Sequence, residues 1–226
     1  MTTLLETIEV ETGKNPSASV IWMHGLGADG NDFVPVVNEL GLSGTPATRF
    51  VFPHAPMRPV TINNGHVMRA WYDVSLGDLE GKSRRADAVG VHESQEQINA
   101  LIEREGKRGV AAGKIVLAGF SQGGAIALHA GLRYPDKLAG VMALSTYLPL
   151  ADSLLQEAAA ANKTTPIFMA HGTFDPVVPL MMGTGSMTFM ASLGYRVEWK
   201  QYPMQHSVCA EEIEDIGEWL RRVLKA

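Results

Sequence analysis

The chain has 226 residues, of which 46% are hydrophobic and 19% charged, a balance typical of a globular protein with a substantial core. The formal net charge of −5, without any run of lysine and arginine, argues against a nucleic-acid partner. The first residues lack the features of a signal peptide, no apolar stretch reaches the ~18 residues that span a membrane, and Cys209 is the only cysteine. We therefore predict a cytoplasmic protein of one domain, residues 1–226, with no integral membrane association.

Short apolar runs alternate with helix-like segments along the chain. The predicted strands are 20–24, 49–52, 115–118, 140–144, 167–171 and 196–202. The predicted helices are 32–40, 86–105, a segment after Ser121, 153–161, 179–193 and 209–224. Such alternation indicates an α/β fold, a mostly parallel central sheet with helices on both faces. The carboxyl ends of the strands then collect at one edge, where ligands bind in open α/β sheets.

Residues 53–85 do not follow this alternation and contain no convincing helix. A non-regular stretch of this length inside a compact domain is usually functional or disordered. Its apolar side chains, among them Trp71, Leu76 and Leu79, indicate that it is packed. We expect a loop that covers the carboxyl edge of the sheet and walls a pocket. A β-hairpin with a purely structural role is the alternative.

The segment 114–129 predicts a buried strand, a sharp turn that carries one serine, and a helix. Ser121 lies between Gly119 and Gly123 and matches the pattern G-x-S-x-G. Glycines suit this place because a tight strand-to-helix turn leaves no room for Cβ atoms beside the serine. The pattern predicts that Ser121 is the nucleophile of an acyl transfer. The alternative is a glycine-rich turn whose serine only caps the following helix.

A serine nucleophile needs a histidine as its general base, and in the order typical of this turn the histidine follows the serine in the chain. Three histidines do so. His129 lies two turns into the helix after Ser121 and points away from it, whereas His171, before a glycine, is expected to shape a loop. His206 follows the last strand, which puts it at the carboxyl edge of the sheet. We predict that His206 is the base.

The carboxylate that orients the histidine is expected between these two residues, also at the end of a strand. Asp136 lies in a surface-type turn after a helix, and Asp152 is placed as a helix N-cap. Asp175 follows the strand 167–171, and Pro176 keeps it in a loop. We predict that Asp175 is the acid of a Ser-His-Asp triad, with a helix cap as the alternative.

Attack on an acyl carbon builds negative charge on oxygen, so the site also needs backbone N–H donors. The N–H of Gln122, next to the serine, is one candidate. Leu26, in the glycine-rich loop 24–27 after the first predicted strand, supplies the second. The glycines at 25, 27 and 30 also match the spacing of a dinucleotide-binding loop, but the acidic residue expected after the second strand is missing.

Other catalytic chemistries lack their parts in this sequence. It contains no H-E-x-x-H motif, no pair of cysteines and no Walker lysine. We therefore expect neither metal-dependent hydrolysis nor phosphoryl transfer, and no metal ligands are predicted.

Seven short motifs together resemble the small carboxylesterase and acyl-protein thioesterase family, closest to its bacterial carboxylesterases. They are HGLG at 24–27, FPHAP at 52–56, WYD at 71–73, GFSQGG at 119–124, LSTYLP at 144–149, HGTFD at 171–175 and MQHS at 204–207. The resemblance implies an α/β-hydrolase fold and a triad of Ser121, His206 and Asp175. It also implies an oxyanion hole formed by the N–H groups of Leu26 and Gln122.

The same resemblance implies an enzyme without a cofactor, which acts on a small-molecule ester or acyl substrate. Family members cleave carboxylic esters, thioesters or lysophospholipids, and some form homodimers, so a homodimer is an expected assembly. By analogy, the substrate groove is walled by Trp71, Leu76, Leu79 and the loop 146–150. We expect a carboxylesterase for short to medium acyl chains. The alternatives are an acyl-protein thioesterase or a lysophospholipase with the same triad, or a binding protein on a hydrolase scaffold.

Overall fold

The computed structural model describes residues 4–75, 77 and 87–225. The strands in these ranges are β1 (Thr7–Glu11), β2 (Ala18–Met23), β3 (Thr48–Pro53), β4 (Met57–Val60), β5 (His66–Arg69), β6 (Ile115–Phe120), β7 (Gly140–Leu144), β8 (Ile167–Gly172) and β9 (Val197–Tyr202). The α-helices are α1 (Ala88–Lys107), α2 (Gln122–Arg133), α3 (Leu154–Glu157), α4 (Leu180–Ser192) and α5 (Ala210–Lys225). Among the described helices, none combines the length and the apolar character that crossing a bilayer requires.

Seven of the described strands form one sheet in the order β1-β3-β2-β6-β7-β8-β9. All neighbouring pairs are parallel except β1 and β3, which are antiparallel. The expectation of a mostly parallel sheet is therefore confirmed. Because the parallel strands end at the same edge, the loops after β2, β6, β8 and β9 come close together there.

The sheet separates two hydrophobic cores, and the alternation along each strand supplies both. On β2, Ile21 and Met23 face one core, and Val20 and Trp22 face the other. The first core is covered by α1, α2 and α4, and the second by α5 and a 3₁₀ helix, Val34–Glu39. Helices therefore cover both faces, as the alternation of the sequence predicts.

Two of the predicted helices are shorter than expected because tertiary contacts override helical spacing. The helix predicted at 32–40 is the 3₁₀ helix Val34–Glu39, after which the Leu40 carbonyl packs against the backbone of α5 at Gly217. The helix predicted at 153–161 is α-helical only over α3. Ala158 is extended, and the Ala159 N–H donates to the Leu132 carbonyl on α2 (2.9 Å).

An edge strand at the N-terminus, β1, has no counterpart in the sequence-based prediction. Its two glutamates, Glu9 and Glu11, are exposed, but both are paired with arginines. Arg49 of β3 contacts Glu11 (2.9 Å) and the fully buried Glu105 of α1 (2.8 Å). Arg104 of α1 and Arg108, the residue after this helix, each lie 2.9 Å from Glu9 of β1. This ionic cluster fastens β1 and β3 to α1.

The segment 53–85 contains a regular element that we expected only as the alternative. β4 and β5 form an antiparallel hairpin, separate from the main sheet, with Met57 opposite Arg69 and Val60 opposite His66. After the hairpin, residues 70–75 run without regular structure, and Trp71 and Tyr72 are buried. Leu76 and Leu79 lie outside the described residues.

His129 lies on α2 and is completely buried against α1. Its Nε2 is 3.0 Å from the amide oxygen Oε1 of Gln95, and its ring packs edge-on against His92. Burial, reinforced by the charge of Arg133, lowers the pKa of His129 to about 3. The imidazole therefore stays neutral and donates its Nε2 proton to Gln95.

The free energy of unfolding of wild type is expected to fall as the pH is lowered from about 7 to about 5. We expect His129→Gln to make this fall smaller by about 2 kcal/mol. Below the ordinary histidine pKa of about 6.5, the unfolded chain binds a proton at this side chain that the folded chain does not bind. Stability therefore falls with pH in wild type, and glutamine removes this contribution. Urea unfolding at both pH values measures the effect. His66→Gln, at an exposed position, is the matched control, and equal pH dependence in all three proteins would contradict the prediction.

Candidate active site

Ser121 lies at the turn between β6 and α2 in a strained backbone conformation. Its φ is 54° and its ψ is −122°, a region that non-glycine residues adopt at a cost of about 1–3 kcal/mol. The flanking glycines permit the turn by close backbone approach. A Cβ at Gly119 would lie 2.2 Å from the carbonyl carbon of Gly123, and one at Gly123 would lie 2.4 Å from the Met23 oxygen of β2. The turn therefore holds the serine hydroxyl above the sheet edge.

The structure brings Ser121, His206 and Asp175 together in one chain of hydrogen bonds. His206 Nε2 is 2.9 Å from Ser121 Oγ, and His206 Nδ1 is 2.6 Å from Asp175 Oδ2. The Asp175 side chain is fully buried, and that of His206 is 14% exposed. Because a carboxylate only accepts hydrogen bonds, Nδ1 carries the imidazole proton. Nε2 is then free to accept a proton from the serine hydroxyl.

Asp175 is held by its own loop. Its Oδ1 accepts hydrogen bonds from the N–H groups of Val177 (2.8 Å) and Val178 (2.9 Å), which leaves Oδ2 for His206. His171, at the end of β8, lies behind this loop with its Nε2 2.9 Å from the Val178 carbonyl and 3.5 Å from Asp175 Oδ2. Burial lowers the pKa of His171, so it stays neutral and donates from Nε2.

The remaining sequence candidates lie elsewhere. His129 is buried between α1 and α2, while Asp136 and Asp152 are exposed. The His206 ring packs instead against Phe120, the residue before the serine, with ring centroids 4.7 Å apart. Phe120 and Asp175 together fix the orientation of the imidazole.

The two candidate oxyanion donors flank the serine. The loop after β2 approaches Ser121 closely, since a Cβ at Gly25 would lie 3.4 Å from the serine Cβ. Within the described part of the chain, the N–H of Leu26, the next residue, donates to no other group. Gln122 is the first residue of α2, where the N–H has no acceptor within the helix. Both N–H groups are therefore available to a ligand.

His24 has a supporting place that the sequence did not indicate. Its ring is buried, its Nδ1 is 2.7 Å from the Gly25 carbonyl, and its Nε2 accepts from the Ala55 N–H (3.0 Å). Since Nε2 must accept, Nδ1 carries the proton and donates to Gly25. Burial lowers the pKa of His24 to about 4, so the ring stays neutral at physiological pH. Its position at the end of a predicted strand and in the HGLG motif did not indicate this role.

Trp71 and the Gln122 side chain are joined inside the site. Trp71 is completely buried, so in this structure its side chain offers no surface to a substrate. The backbone N–H of Trp71 donates to Gln122 Oε1 (2.8 Å), and its indole N–H donates to the His24 carbonyl (2.9 Å). Gln122 Nε2 donates to the Tyr72 carbonyl (2.6 Å). No sequence pattern indicated these contacts, because they join residues far apart in the chain.

Other predicted groove residues differ in where they lie. The loop 146–150 does reach the segment after Trp71, since the hydroxyls of Tyr147 and Tyr72 are 3.0 Å apart. Leu76 and Leu79 lie outside the described residues, so their contact with a substrate stays a prediction.

Apolar side chains lie exposed next to Asp175. Phe174 is 68% exposed, Val177 47% and Met181, at the start of α4, 76%. Exposed apolar side chains this close in sequence to Asp175 are candidates for contact with an apolar ligand. In the ranges that the structure describes, no three histidine, cysteine, aspartate or glutamate side chains are grouped so that they could hold a metal ion.

Comparison with known proteins identifies the family. The family model for Phospholipase/Carboxylesterase matches residues 5–224. Acyl-protein thioesterase 1 of Neurospora crassa is 41% identical over 210 residues, covering 90% of this chain and 86% of that protein. Acyl-protein thioesterase 1 of Cryptococcus neoformans is 37% identical over 239 residues, and both chains are covered completely.

Solved structures agree with this result. Arabidopsis thaliana SOBER1 superposes with a TM-score of 0.84 at 33% identity, covering 92% of this chain and 99% of that one. Zea mays acyl-protein thioesterase 2 superposes with a TM-score of 0.83 at 27% identity, covering 97% and 99%. The chain therefore belongs to the phospholipase/carboxylesterase family and is a carboxylic ester hydrolase with the α/β-hydrolase fold.

Proposed function

We propose that this chain is an acyl thioesterase and esterase that forms an acyl-enzyme on Ser121. The observation that carries the proposal is the continuous line of hydrogen bonds from Asp175 through His206 to the serine hydroxyl. A packed histidine of purely structural role would not need a buried carboxylate on one nitrogen and a half-buried hydroxyl on the other.

In the first half of the proposed reaction, Ser121 Oγ attacks the acyl carbon while His206 Nε2 takes the hydroxyl proton. Buried Asp175 stabilises the imidazolium that forms. The carbonyl oxygen becomes an oxyanion, which accepts hydrogen bonds from the N–H groups of Leu26 and Gln122. When the tetrahedral intermediate collapses, the bond to the thiolate or alkoxide breaks, and the proton on His206 is available to the leaving group.

In the second half, water replaces the alcohol or thiol. His206 accepts a proton from water, and the hydroxide attacks the acyl carbon of the ester on Ser121. The same two N–H groups accommodate the second oxyanion. Collapse breaks the bond to Oγ, and His206 returns its proton to the serine, so that a carboxylic acid leaves and the enzyme is restored.

Two observations favour long acyl thioesters over the short to medium esters expected from the sequence. Two relatives that align with 90% or more of the chain are named acyl-protein thioesterases. The exposed side chains of Phe174, Val177 and Met181, in and just after the loop of Asp175, offer apolar surface to an acyl chain. An acyl chain would gain roughly 0.8 kcal/mol for each CH₂ that it buries there.

We expect Ser121→Ala to lower kcat/KM for p-nitrophenyl esters by about 10⁴-fold or more, because no other group supplies the nucleophile. Initial rates with purified wild type and variant measure the loss. Ser192→Ala, at an exposed position near the end of α4, is the matched control and should retain wild-type rates. Substantial activity in Ser121→Ala would rule out the proposed nucleophile.

We expect Asp175→Asn to lower kcat by about 10⁴-fold with little change in stability. The two N–H groups of Val177 and Val178 keep an oxygen at the Oδ1 position, which turns the amide NH₂ towards His206 Nδ1. Nδ1 must then accept, and the imidazole proton moves to Nε2, where it blocks proton transfer from the serine. Steady-state kinetics and thermal unfolding measure the two effects.

Two exposed aspartates, which the sequence analysis also considered as the acid, provide the controls for this variant. Asp136→Asn and Asp152→Asn should keep wild-type kcat. A comparable loss in either of them, or normal turnover in Asp175→Asn, would refute the assignment of the acid.

We expect an S-palmitoyl peptide to be cleaved with a higher kcat/KM than the matched O-palmitoyl serine peptide. A thiolate, with a thiol pKa of about 8.5, leaves without waiting for a proton, unlike an alkoxide. Rates for p-nitrophenyl esters from acetate to palmitate should likewise rise towards long chains. Maximal rates with short acyl chains and no thioester cleavage would support the short-chain carboxylesterase expected from the sequence. Activity confined to lysophospholipid micelles would favour a lysophospholipase.

A further inference from the structure

We propose that Trp71 is a positioning residue that holds the two oxyanion donors at a fixed separation. It does so as part of a bridge segment, residues 69–72, which is hydrogen-bonded to both donor-bearing parts of the chain. The inference rests on the proposed function, because it concerns the oxyanion hole of that reaction.

One end of the bridge segment fastens the loop that carries Leu26. The Trp71 indole N–H donates to the His24 carbonyl (2.9 Å), and the Gly27 N–H donates to the Arg69 carbonyl (2.9 Å). These two hydrogen bonds hold the loop on both sides of Leu26. They therefore determine the direction of the Leu26 N–H.

The other end of the bridge segment fastens Gln122. Its side-chain oxygen accepts from the Trp71 N–H (2.8 Å), and its side-chain nitrogen donates to the Tyr72 carbonyl (2.6 Å). The amide side chain is therefore locked at both its atoms. Because the side chain and the N–H donor belong to the same residue, this contact fixes the second donor.

Trp71 itself is anchored from outside the hole. Its carbonyl accepts a short hydrogen bond from the hydroxyl of Ser94 on α1, and both residues are completely buried. All three polar groups of Trp71 are thus used, and each bond goes to a different part of the fold. A residue that only filled space would not need this arrangement.

The chemistry predicts which kinetic constant depends on Trp71. Full negative charge on the carbonyl oxygen develops only after the serine attacks, so misplaced donors weaken the transition state more than the bound substrate. Loss of the indole hydrogen bond should therefore lower kcat and leave KM nearly unchanged. A residue that contacts the acyl chain would mainly raise KM when truncated.

The chain offers a matched control at Trp22. This residue is also buried, on β2 two positions before His24, but it faces the opposite core and stacks on Phe33. Its indole N–H has no partner among the described residues. Trp22→Phe and Trp71→Phe therefore remove similar volume from the two faces of the sheet, and only the second removes a hydrogen bond.

The experiment compares these two variants with wild type in ester hydrolysis, thermal unfolding and inhibition by an acyl trifluoromethyl ketone. The serine oxygen adds to the carbonyl carbon of this inhibitor, and the oxyanion that forms occupies the oxyanion hole. We expect Trp71→Phe to lower kcat about tenfold, less than the roughly hundredfold for a missing donor, with KM within about twofold. Its inhibition constant should rise by the same factor as kcat falls. Trp22→Phe should lose stability but keep kcat and the inhibition constant.

Three results would overturn the inference: equal loss of kcat in both variants, unchanged kcat in Trp71→Phe, or a rise in KM alone. Failure of the proposed function gives a different pattern, in which wild type is inactive or Ser121→Ala is active. If Trp71→Phe does not fold, Gln122→Met removes the same bridge from its other end and keeps the backbone N–H. That variant should show the same loss of kcat at constant KM, and normal turnover in it would also overturn the inference.

Discussion

The close contact between the serine turn and β2 is the constraint around which the site is built. Gly123 lies so near the Met23 oxygen that no side chain would fit, and Ser121 is held at a φ of 54°. Strain of this kind persists only where the surrounding structure over-determines the backbone. Here the surroundings are the central strands β2, β6 and β7, with the Ser121 N–H bonded to the Leu144 carbonyl (2.8 Å). The nucleophile therefore lies at the end of the middle strand of the sheet, whereas the histidine and the acid lie on loops.

Three buried or half-buried histidines at the carboxyl edge take different parts because their surroundings differ. His24 is neutral, with its proton on Nδ1, and supports the loop of Leu26. His171 is neutral, with its proton on Nε2, and supports the loop of Asp175. His206 alone meets both a carboxylate and a hydroxyl, so it alone is arranged to exchange a proton. The hydrogen-bond partners of the two ring nitrogens thus determine which nitrogen of each histidine carries the proton.

Chain order and strand ends were sufficient to predict the layout of the fold and the three residues that meet in the site. This works because parallel strands bring their carboxyl ends to one edge, wherever the residues stand in the sequence. The same reasoning could not find β1, whose alternate glutamates look solvated until Arg49, Arg104 and Arg108 are seen to pair with them. It also could not assign the hydrogen bonds of the Gln122 side chain and of Trp71, since these leave no local pattern. The helix expected at 153–161 was wrong beyond α3, because a backbone bond to α2 replaced the helical one.

The hydrogen bonds of the site join residues far apart in sequence, with separations of 47 positions for His24 and Trp71, 51 for Trp71 and Gln122, and 85 for Ser121 and His206. Closing loops of this size costs entropy, and the pairing of β2 with β6, where Ser19 lies opposite Ile115, spans an even longer stretch of the chain. The site and the centre of the sheet therefore depend on contacts of the same long range. Hydrolytic activity then reports that these long-range contacts have formed, and a chain that regained only its local helices would be inactive.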